Sequence, residues 1–406
     1  MHVVVVGAGP CGLLLTVRLA IAGIKVTLLE ANNKLDDRPR AGIYAPCAVL
    51  EFMRAGVLDD VRAQGFIPDD IVWRAFDGKP VLEWKDSTQV AKPEAMTTLP
   101  QGMLGAIMYK HAVASPNVSV KFDHKVLNVH QDERQAWVKT QLPNGSQEDF
   151  YGDYVVGTDG ANSQVRKSLF GDRFDGHTWN AQIVATDVYY DLHRFGYGDI
   201  NFILHPEHYY MAARITRDGL WRVSYGEDTR LNAEECAANQ PRKFETILPG
   251  NPKPGDYKLT RCSPYRIHQR CAESFRVGRV LLAADAAHLC NPFGGLGLVG
   301  GLVDVGGLSD CLIGLHEDKA DDTILAKYDE VRRKAWHELI NPISSGNFQR
   351  MGTADASSLP GTDPSMSMVK RANGDPAIKK DLDDSAYAIC HDFTQYYKES
   401  TSSVKL

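Results

Sequence analysis

HVVVVGAGPCGLLLTVRLAIAGIKVTLLE, residues 2–30, decides how the rest of the chain is read. Four valines, Val3 to Val6, form an apolar β-branched run of strand length, stopped at once by glycine. Gly7, Gly9 and Gly12 follow in a G-x-G-x-x-G spacing. An apolar helical pattern then runs to Ala22, Gly23 supplies a C-cap, and residues 24–29 make a second buried strand ending at Glu30. Strand, glycine turn, helix and strand in that order predict a parallel βαβ unit. Gly7 makes the tight turn, Gly9 lets the backbone approach a pyrophosphate, and Gly12 lets the helix pack on the strand. The helix N-terminus then presents free N–H groups to phosphate, and Glu30 accepts hydrogen bonds from ribose hydroxyls. Three fixed glycines are a weak signal in a chain with 35 of them, so the flanking elements carry the weight.

Working outward, 406 residues correspond to two or three domains at roughly 150 residues each. With 43% hydrophobic and 24% charged residues, the chain is not disordered as a whole. Its 45 basic and 51 acidic residues give a net charge of −6, which argues against a phosphate-tracking surface for nucleic acid. No run of about 18 uninterrupted apolar residues marks a membrane span; residues 13–22 are broken by Arg18. The eight cysteines are scattered without C-x-x-C pairs, so reduced thiols, a cytoplasmic location and no metal site are expected. The terminal Val404-Lys405-Leu406 only faintly echoes a peroxisomal signal.

Further along, residues 118–122, 137–142 and 154–156 read as strands, with Pro143-Asn144-Gly145 as a hairpin turn. Residues 182–190, 201–204, 209–215 and 220–225 form a strand-rich, aromatic stretch. Two more glycine-bearing turns follow buried strands. Gly157-Thr158-Asp159-Gly160 follows residues 154–156, and leads on to Ser163 and Arg166. Ala284-Asp285-Ala286-Ala287-His288 ends the strand 279–284, and Pro292-Phe293-Gly294-Gly295-Leu296-Gly297-Leu298 opens a helix. Taken singly, Asp-Gly is a turn signal and the glycine-dense helix start is a packing seam. A charged helix over 328–338 and a Ser/Asp/Pro-rich tail with a covering helix complete the pattern.

Together, in this order and spacing, the three turns resemble the single-component flavoprotein monooxygenases of the 4-hydroxybenzoate hydroxylase type, the aromatic-ring hydroxylase family. The resemblance covers residues 2–345. It implies an α/β fold: a Rossmann-like, glutathione-reductase-like FAD-binding domain with an inserted mixed β-sheet substrate domain and a C-terminal helical tail. The FAD domain would comprise 1–170 and 263–350, the substrate domain 171–262 and the tail 351–406. By the same resemblance, Gly7, Gly9, Gly12 and Glu30 hold the ADP half of FAD, and Asp159 serves both FAD and NAD(P)H. Asp285 faces the ribityl chain, Arg40, Gly42 and Ile43 match an Arg-x-Gly segment, and Gln101 stands against the flavin. Gly295, Gly297 and Leu298 present backbone N–H groups to the flavin ring, and the Pro292 carbonyl lies over its reacting edge. Three departures stand out: Ala284 replaces the usual glycine before the aspartate, and Leu296 and Val299 replace a glutamine and an asparagine.

The implied activity is insertion of one atom of O2 into a phenolic or polycyclic aromatic substrate by FAD and NAD(P)H, through a flavin C4a-hydroperoxide. A non-covalent FAD, NADH or NADPH and O2 are the implied cofactors, and a small aromatic molecule the partner of a monomer or homodimer. Arg222 and Tyr225 are the expected catalytic side chains on the substrate sheet, with Tyr209 and Arg214 as further polar candidates. The alternatives are an epoxidase, a Baeyer–Villiger oxygenase or a flavin-scaffolded binding protein without turnover. The Trp-x-Trp-x-x-Pro of tryptophan halogenases is absent, because Trp221 stands alone. His288 reads more simply as a packing or capping residue than as a general base.

Overall fold

His2–Val6 lies inside a six-stranded sheet ordered Arg276–Val277, Val280–Leu282, Tyr154–Gly157, His2–Val6, Lys25–Leu29, Val118–Lys121. Its pairings are parallel except for the antiparallel edge strand Arg276–Val277. Val3 to Val6 are buried, as a strand covered on both faces must be. The two distant glycine turns are therefore brought to the first one, one directly and one through its neighbour. Tyr154–Gly157 pairs with His2–Val6, and Val280–Leu282 pairs with Tyr154–Gly157. The computed structural model describes residues 1–38, 40, 42–85 and 91–398. Ala41, inside the Arg-x-Gly segment, and the Val404-Lys405-Leu406 terminus lie outside these residues.

The helix Pro10–Ile21 packs between Gln101–Val113 and Leu296–His316 beside this sheet. A three-stranded antiparallel sheet, Lys125–Gln131, Ala136–Gln141 and Gln147–Gly152, adds Val126, Ala136 and Val138 to the same core. Leu296–His316 is long and apolar enough to cross a membrane. It is the core helix instead: most of it is buried, and Asp304 and Asp310 within it are ion-paired.

The second large sheet has eight strands, ordered His288–Leu289, Lys258–Cys271, Asp175–Tyr189, Leu220–Glu227, Tyr210–Arg214, Ile200–Leu204, Ile71–Ala75, Pro80–Trp84. The hairpin Ile71–Trp84 comes from the early part of the chain, and Ile71–Ala75 pairs in parallel with Ile200–Leu204. Lys258–Cys271 runs past residue 262 and pairs with almost the whole of Asp175–Tyr189. One face of this sheet is covered by the helix Ala233–Ile247, which opens on a capping box between Asn232 and Glu235. Trp221, Tyr225, Tyr210, Val184 and Phe244 fill the layer between them.

The charged helix spans Thr323–Ala335 and widens into a π turn at Trp336–Ile340. Pro342 follows, and its missing N–H breaks the i to i−4 ladder there. The tail is three short helices, Leu359–Thr362, Pro364–Ala372 and Pro376–Ser385, where the sequence suggested one. Leu359, Met366 and Val369 cover the Ile71–Trp84 end of the sheet, around Leu82 and Trp73.

Candidate active site

The C-terminal ends of the parallel strands and the uncovered face of the eight-stranded sheet enclose a cleft of about 1260 Å³. Drug-sized ligands occupy roughly 300–1,000 Å³, so the space suits a dinucleotide with a small molecule beside it. Parallel sheets place ligands at this edge because the loops there hold the helix N-termini.

Backbone geometry builds the first wall. Gly7 has φ +101°, and a Cβ on it would lie 2.7 Å from the Thr158 carbonyl oxygen. A Cβ on Gly12 would lie 2.0 Å from the Gly7 carbonyl oxygen and 2.6 Å from Thr158 Oγ1. A Cβ on Gly9 would meet nothing within 4 Å, so its bareness leaves room on the cleft side. Gly9 caps the Pro10–Ile21 helix without a side-chain bond. Glu30 stands opposite, accepting from the Ala8 N–H at 2.9 Å and the Asn32 N–H at 2.9 Å.

The second and third turns clamp each other. Asp159 accepts from Ser163 Oγ at 2.5 Å, the Gln164 N–H at 2.7 Å and the Val165 N–H at 3.2 Å, so its carboxylate caps the Gln164–Phe170 helix. Burial nevertheless pushes its pKa up. Arg166 donates to the Ala286 carbonyl at 3.0 Å and the Ala161 carbonyl at 2.8 Å, and stacks on Phe174 at 3.7 Å. Beneath them Asp304 accepts from the Ala284 N–H at 3.0 Å, His288 Nε2 at 2.7 Å and Arg332 Nε at 2.7 Å. Burial opposes this carboxylate, but His288 and Arg332 outweigh it and hold its pKa well below the ordinary range. Ala284 has φ +58°, the left-handed region where glycine is favoured. Its methyl is tolerated because Gly301 faces it: a Cβ there would lie 2.6 Å from the Ala284 Cβ.

Asp285 is the test of fit for a nucleotide cofactor. It lines the cleft, and its surface opens on that cavity from deep within the protein. Burial raises its pKa, offset by His288 and Arg40. No side chain among the described residues bonds to it, so a carboxylate sits ready for hydroxyl donors. Opposite runs Gly294-Gly295, at φ +120° and +68°, opening the Leu296–His316 helix without a side-chain cap. Open Gly9, unpartnered Asp285 and two uncapped helix starts fit a flavin dinucleotide. Arg40, Gly42, Ile43, Gln101, Asp159, Pro292, Gly295, Gly297 and Leu298 also line the cleft. Gly12 lies behind it, packed between Gly7 and Thr158.

The eight-stranded sheet builds the second wall in registered rows. One row is Arg261, Asp187, Arg222, Ala213, Ile200 and Ile71 across six strands; the next is Ser263, Ala185, Ser224, Met211, Phe202 and Trp73. Polar groups thus gather at one end of the face and apolar ones at the other. Arg222 Nε donates to fully buried Asp187 Oδ1 at 2.6 Å. Its two terminal nitrogens bond to nothing among the described residues. Arg261 lines the cleft beside them, likewise unbonded among the described residues, and burial lowers its pKa, offset by Asp187. Tyr265, four residues further along that strand, also lines the cleft, and burial pushes its hydroxyl up to about 12.

Tyr225 is a correction. Strand side chains alternate between faces, so residue 225 cannot share a face with residue 222. Tyr225 lies in the core under the Ala233–Ile247 helix, edge-on to Phe244 at 6.1 Å, and lines no part of the cleft. Arg214 also points away, paired with Asp199 at 2.7 Å. Tyr209 leans on Phe293 and Phe348 at the cleft's aromatic edge, with ring centroids 6.0 Å away. The sequence reading missed Arg261, Ser263 and Tyr265. Their i, i+2 spacing was the available signal, obscured because residues 258–271 show no clean polar alternation.

Residues 1–341 match the family described as FAD binding domain. The chain is 37% identical to para-nitrophenol 4-monooxygenase of Pseudomonas sp. (strain WBC-3) over 380 residues, 93% of each. It is 35% identical to 6-hydroxy-3-succinoylpyridine 3-monooxygenase HspB of Pseudomonas putida (strain DSM 28022 / S16), over 86% of this chain and 88% of that one. The crystal structure of p-nitrophenol 4-monooxygenase PnpA from Pseudomonas putida DLL-E4 superposes with a TM-score of 0.89 at 35% identity, covering 95% of this chain and 97% of that one. An aklavinone-11 hydroxylase in ternary complex with FAD and aklavinone superposes at 0.76 with 25% identity, covering 86% of this chain and 69% of that one. With the glycine turns converged on one cleft that fits the dinucleotide, the chain belongs to the FAD-dependent aromatic hydroxylase family and is an FAD-dependent monooxygenase.

Proposed function

We propose that the enzyme uses NAD(P)H and O2 to oxygenate a small phenol or hydroxypyridine that carries a polar substituent across the ring from its hydroxyl. The observation that carries this reading is the divided face of the substrate sheet. Arg222, Arg261, Ser224 and Ser263 crowd one end, while Ile71, Trp73, Ile200, Phe202 and Met211 form an apolar plateau at the other. A one-ring substrate laid across it meets cation at one pole and hydrocarbon along its body. The relatives support the same class, since each is named for oxygenation at the position bearing the named substituent: 4 of para-nitrophenol, and 3 of 6-hydroxy-3-succinoylpyridine.

Bound FAD supplies electron transfer and oxygen activation. Gly7 and Gly9 admit the pyrophosphate, Glu30 takes ribose hydroxyls, and Asp285 takes hydroxyls of the ribityl chain. Arg40, Gly42, Ile43 and Gln101 border the ring system, Asp159 fixes the second turn, and Gly297 and Leu298, beyond the Gly295 turn, offer N–H groups to the ring's anionic edge. Arg222 and Arg261 bind an oxyanion on the substrate and favour the deprotonated phenol, the electron-rich form that accepts oxygen. Tyr265, protonated across the working pH range, donates a hydrogen bond to that oxygen. Pro292 and Phe293 cover the site and keep water out, which protects the reactive oxygen from wasteful release.

The test uses the purified holoenzyme. Anaerobic NADH and NADPH are mixed with it in the presence of phenols, and bleaching of the flavin is followed. With para-nitrophenol in air, each NAD(P)H and O2 should yield one quinone, one nitrite and one water, because oxygen enters where the nitro group leaves. Phenols with a nitro group para to the hydroxyl, which favours the phenolate, should win over unsubstituted phenol by about tenfold or more in kcat/KM, the worth of one charge-assisted contact. Flavin that fails to bleach with either nucleotide, whatever phenol is present, would refute the proposal.

A further inference from the structure

Pro292 and its neighbours roof the cleft, yet a proline has no N–H by which its own position can be tied down. Something else must hold this loop. Gln269, on the strand Lys258–Cys271 and 1% exposed, does so. Its Oε1 accepts the Asn291 N–H at 2.6 Å and Asn291 Nδ2 at 3.2 Å. Asn291 Oδ1 in turn accepts the Phe293 N–H at 3.0 Å. Both amides flanking Pro292 are therefore fixed by one buried amide pair, while the Pro292 carbonyl accepts from the Gly295 N–H at 3.1 Å.

The other end of Gln269 grips a different element. Its Nε2 lies 2.8 Å from Asn341 Oδ1 and 3.1 Å from Ser344 Oγ, at the start of the helix Asn341–Met351. That helix carries Asn347 and Arg350 into the cleft, and its Phe348 stacks on Phe293 at 5.3 Å. A Cβ on Gly294 would lie 2.6 Å from Asn347 Nδ2, so loop and helix already touch closely. One buried side chain thus joins the substrate sheet, the roof loop and the first helix beyond the family's matched region.

We infer that Gln269 is a positioning residue for oxygen transfer: through Asn291 and Asn341 it sets the distance between the Pro292 roof and the substrate sheet. It does not itself line the cleft, so its loss should leave FAD binding and reduction largely intact. What fails is closure of the roof over a substrate, and NAD(P)H is then consumed with O2 to give hydrogen peroxide instead of product. The coupling consequence rests on the monooxygenase reading above; the loop-holding role does not.

The experiment compares holoenzyme carrying Gln269→Met, Gln269→Glu or no substitution, with para-nitrophenol as probe. Gln269→Met matches the length and removes both bonding ends. Gln269→Glu keeps the acceptor for Asn291 and loses the N–H donors. Product formed per NAD(P)H should fall about tenfold in Gln269→Met, the worth of roughly one lost hydrogen bond, with peroxide making up the difference. Gln269→Glu should fall between it and the parent. Flavin content and the anaerobic bleaching rate should stay within about twofold, as expected for a residue that touches neither nucleotide. Amide hydrogen exchange at Asn291 and Phe293 should quicken by about tenfold in Gln269→Met, and this readout needs no substrate. Unchanged exchange at those amides, or unchanged coupling in an active parent, overturns the inference. Loss of coupling only in proportion to lost flavin overturns it too. If the parent gives no product while exchange still quickens, the substrate reading has failed and the bracket stands. Should Gln269→Met fail to fold, Gln269→Glu carries the same comparisons.

Discussion

The two walls of the cleft are built in opposite ways. The nucleotide wall is made by what is missing: bare glycines, uncapped helix starts and a carboxylate without a bonding partner among the described residues. Its geometry is fixed by backbone against backbone, as where the Gly12 α-carbon presses on the Gly7 carbonyl. The substrate wall is made by side chains standing in rows on strands from distant parts of the chain. A backbone-defined wall tolerates few replacements at its contacts. A wall of side chains can be recut one residue at a time, and that is how one scaffold comes to serve different aromatic compounds.

The largest expected effect lies under the first wall. Asp304→Asn removes the charge that binds His288, Arg332 and the Ala284 amide, and should cost about 3–5 kcal/mol in urea denaturation. The same carboxyl gives the pH dependence. Its pKa is depressed in the folded chain, so its stabilisation is complete above its ordinary value of about 3.9 and is lost as pH falls through the lower folded value. The Tm contribution from this group should therefore be flat from neutrality to about pH 5 and decline below about pH 4. A variant that keeps the acid slope of the parent would locate that slope elsewhere.

Gly12→Ala should cost about 3 kcal/mol, because its methyl overlaps backbone that cannot move aside, and the purified protein should carry no flavin. Gly9→Ala is the contrast: it meets no protein atom, so Tm of the apoprotein should hold while flavin retention falls. Equal behaviour of the two would undo the division between packing glycine and ligand-facing glycine.

On the second wall, Arg222→Met should raise KM for para-nitrophenol about 10- to 100-fold, with flavin content unchanged. Tyr225→Phe should leave kinetics within about twofold, since the residue packs on the far face of the sheet. Its hydroxyl is buried without a hydrogen-bond partner among the described residues, so removing it should slightly raise Tm. A kinetic defect in Tyr225→Phe would challenge the side-chain rows themselves. A small gain is expected at Ala284→Gly, which relieves a left-handed alanine and should add up to about 1 kcal/mol of stability, read as a raised denaturant midpoint.

Reading residues 2–30 alone was enough to define the first strand, the glycine turn, the helix and Glu30, because the apolar run, the glycine spacing and the helical pattern each fit within a short window. The second and third turns were legible for the same reason: each is a strand end followed by glycine. Spacing also carried the order of the three turns, and with it the family. What the sequence could not determine was the company each residue keeps across the sheet. Arg222 and Tyr225 looked equivalent in the chain, but strand parity puts them on opposite faces, and only the covering helix decides which face is open. Ile71–Trp84 joined the substrate sheet through pairing with Ile200–Leu204, more than a hundred residues away. Arg261 and Tyr265 entered the cleft by register with Asp175–Tyr189. Gln269 met Asn291 and Asn341 only in the folded protein. Local backbone chemistry was written in the sequence; the pairing of distant strands, which no short window contains, was settled by the tertiary fold.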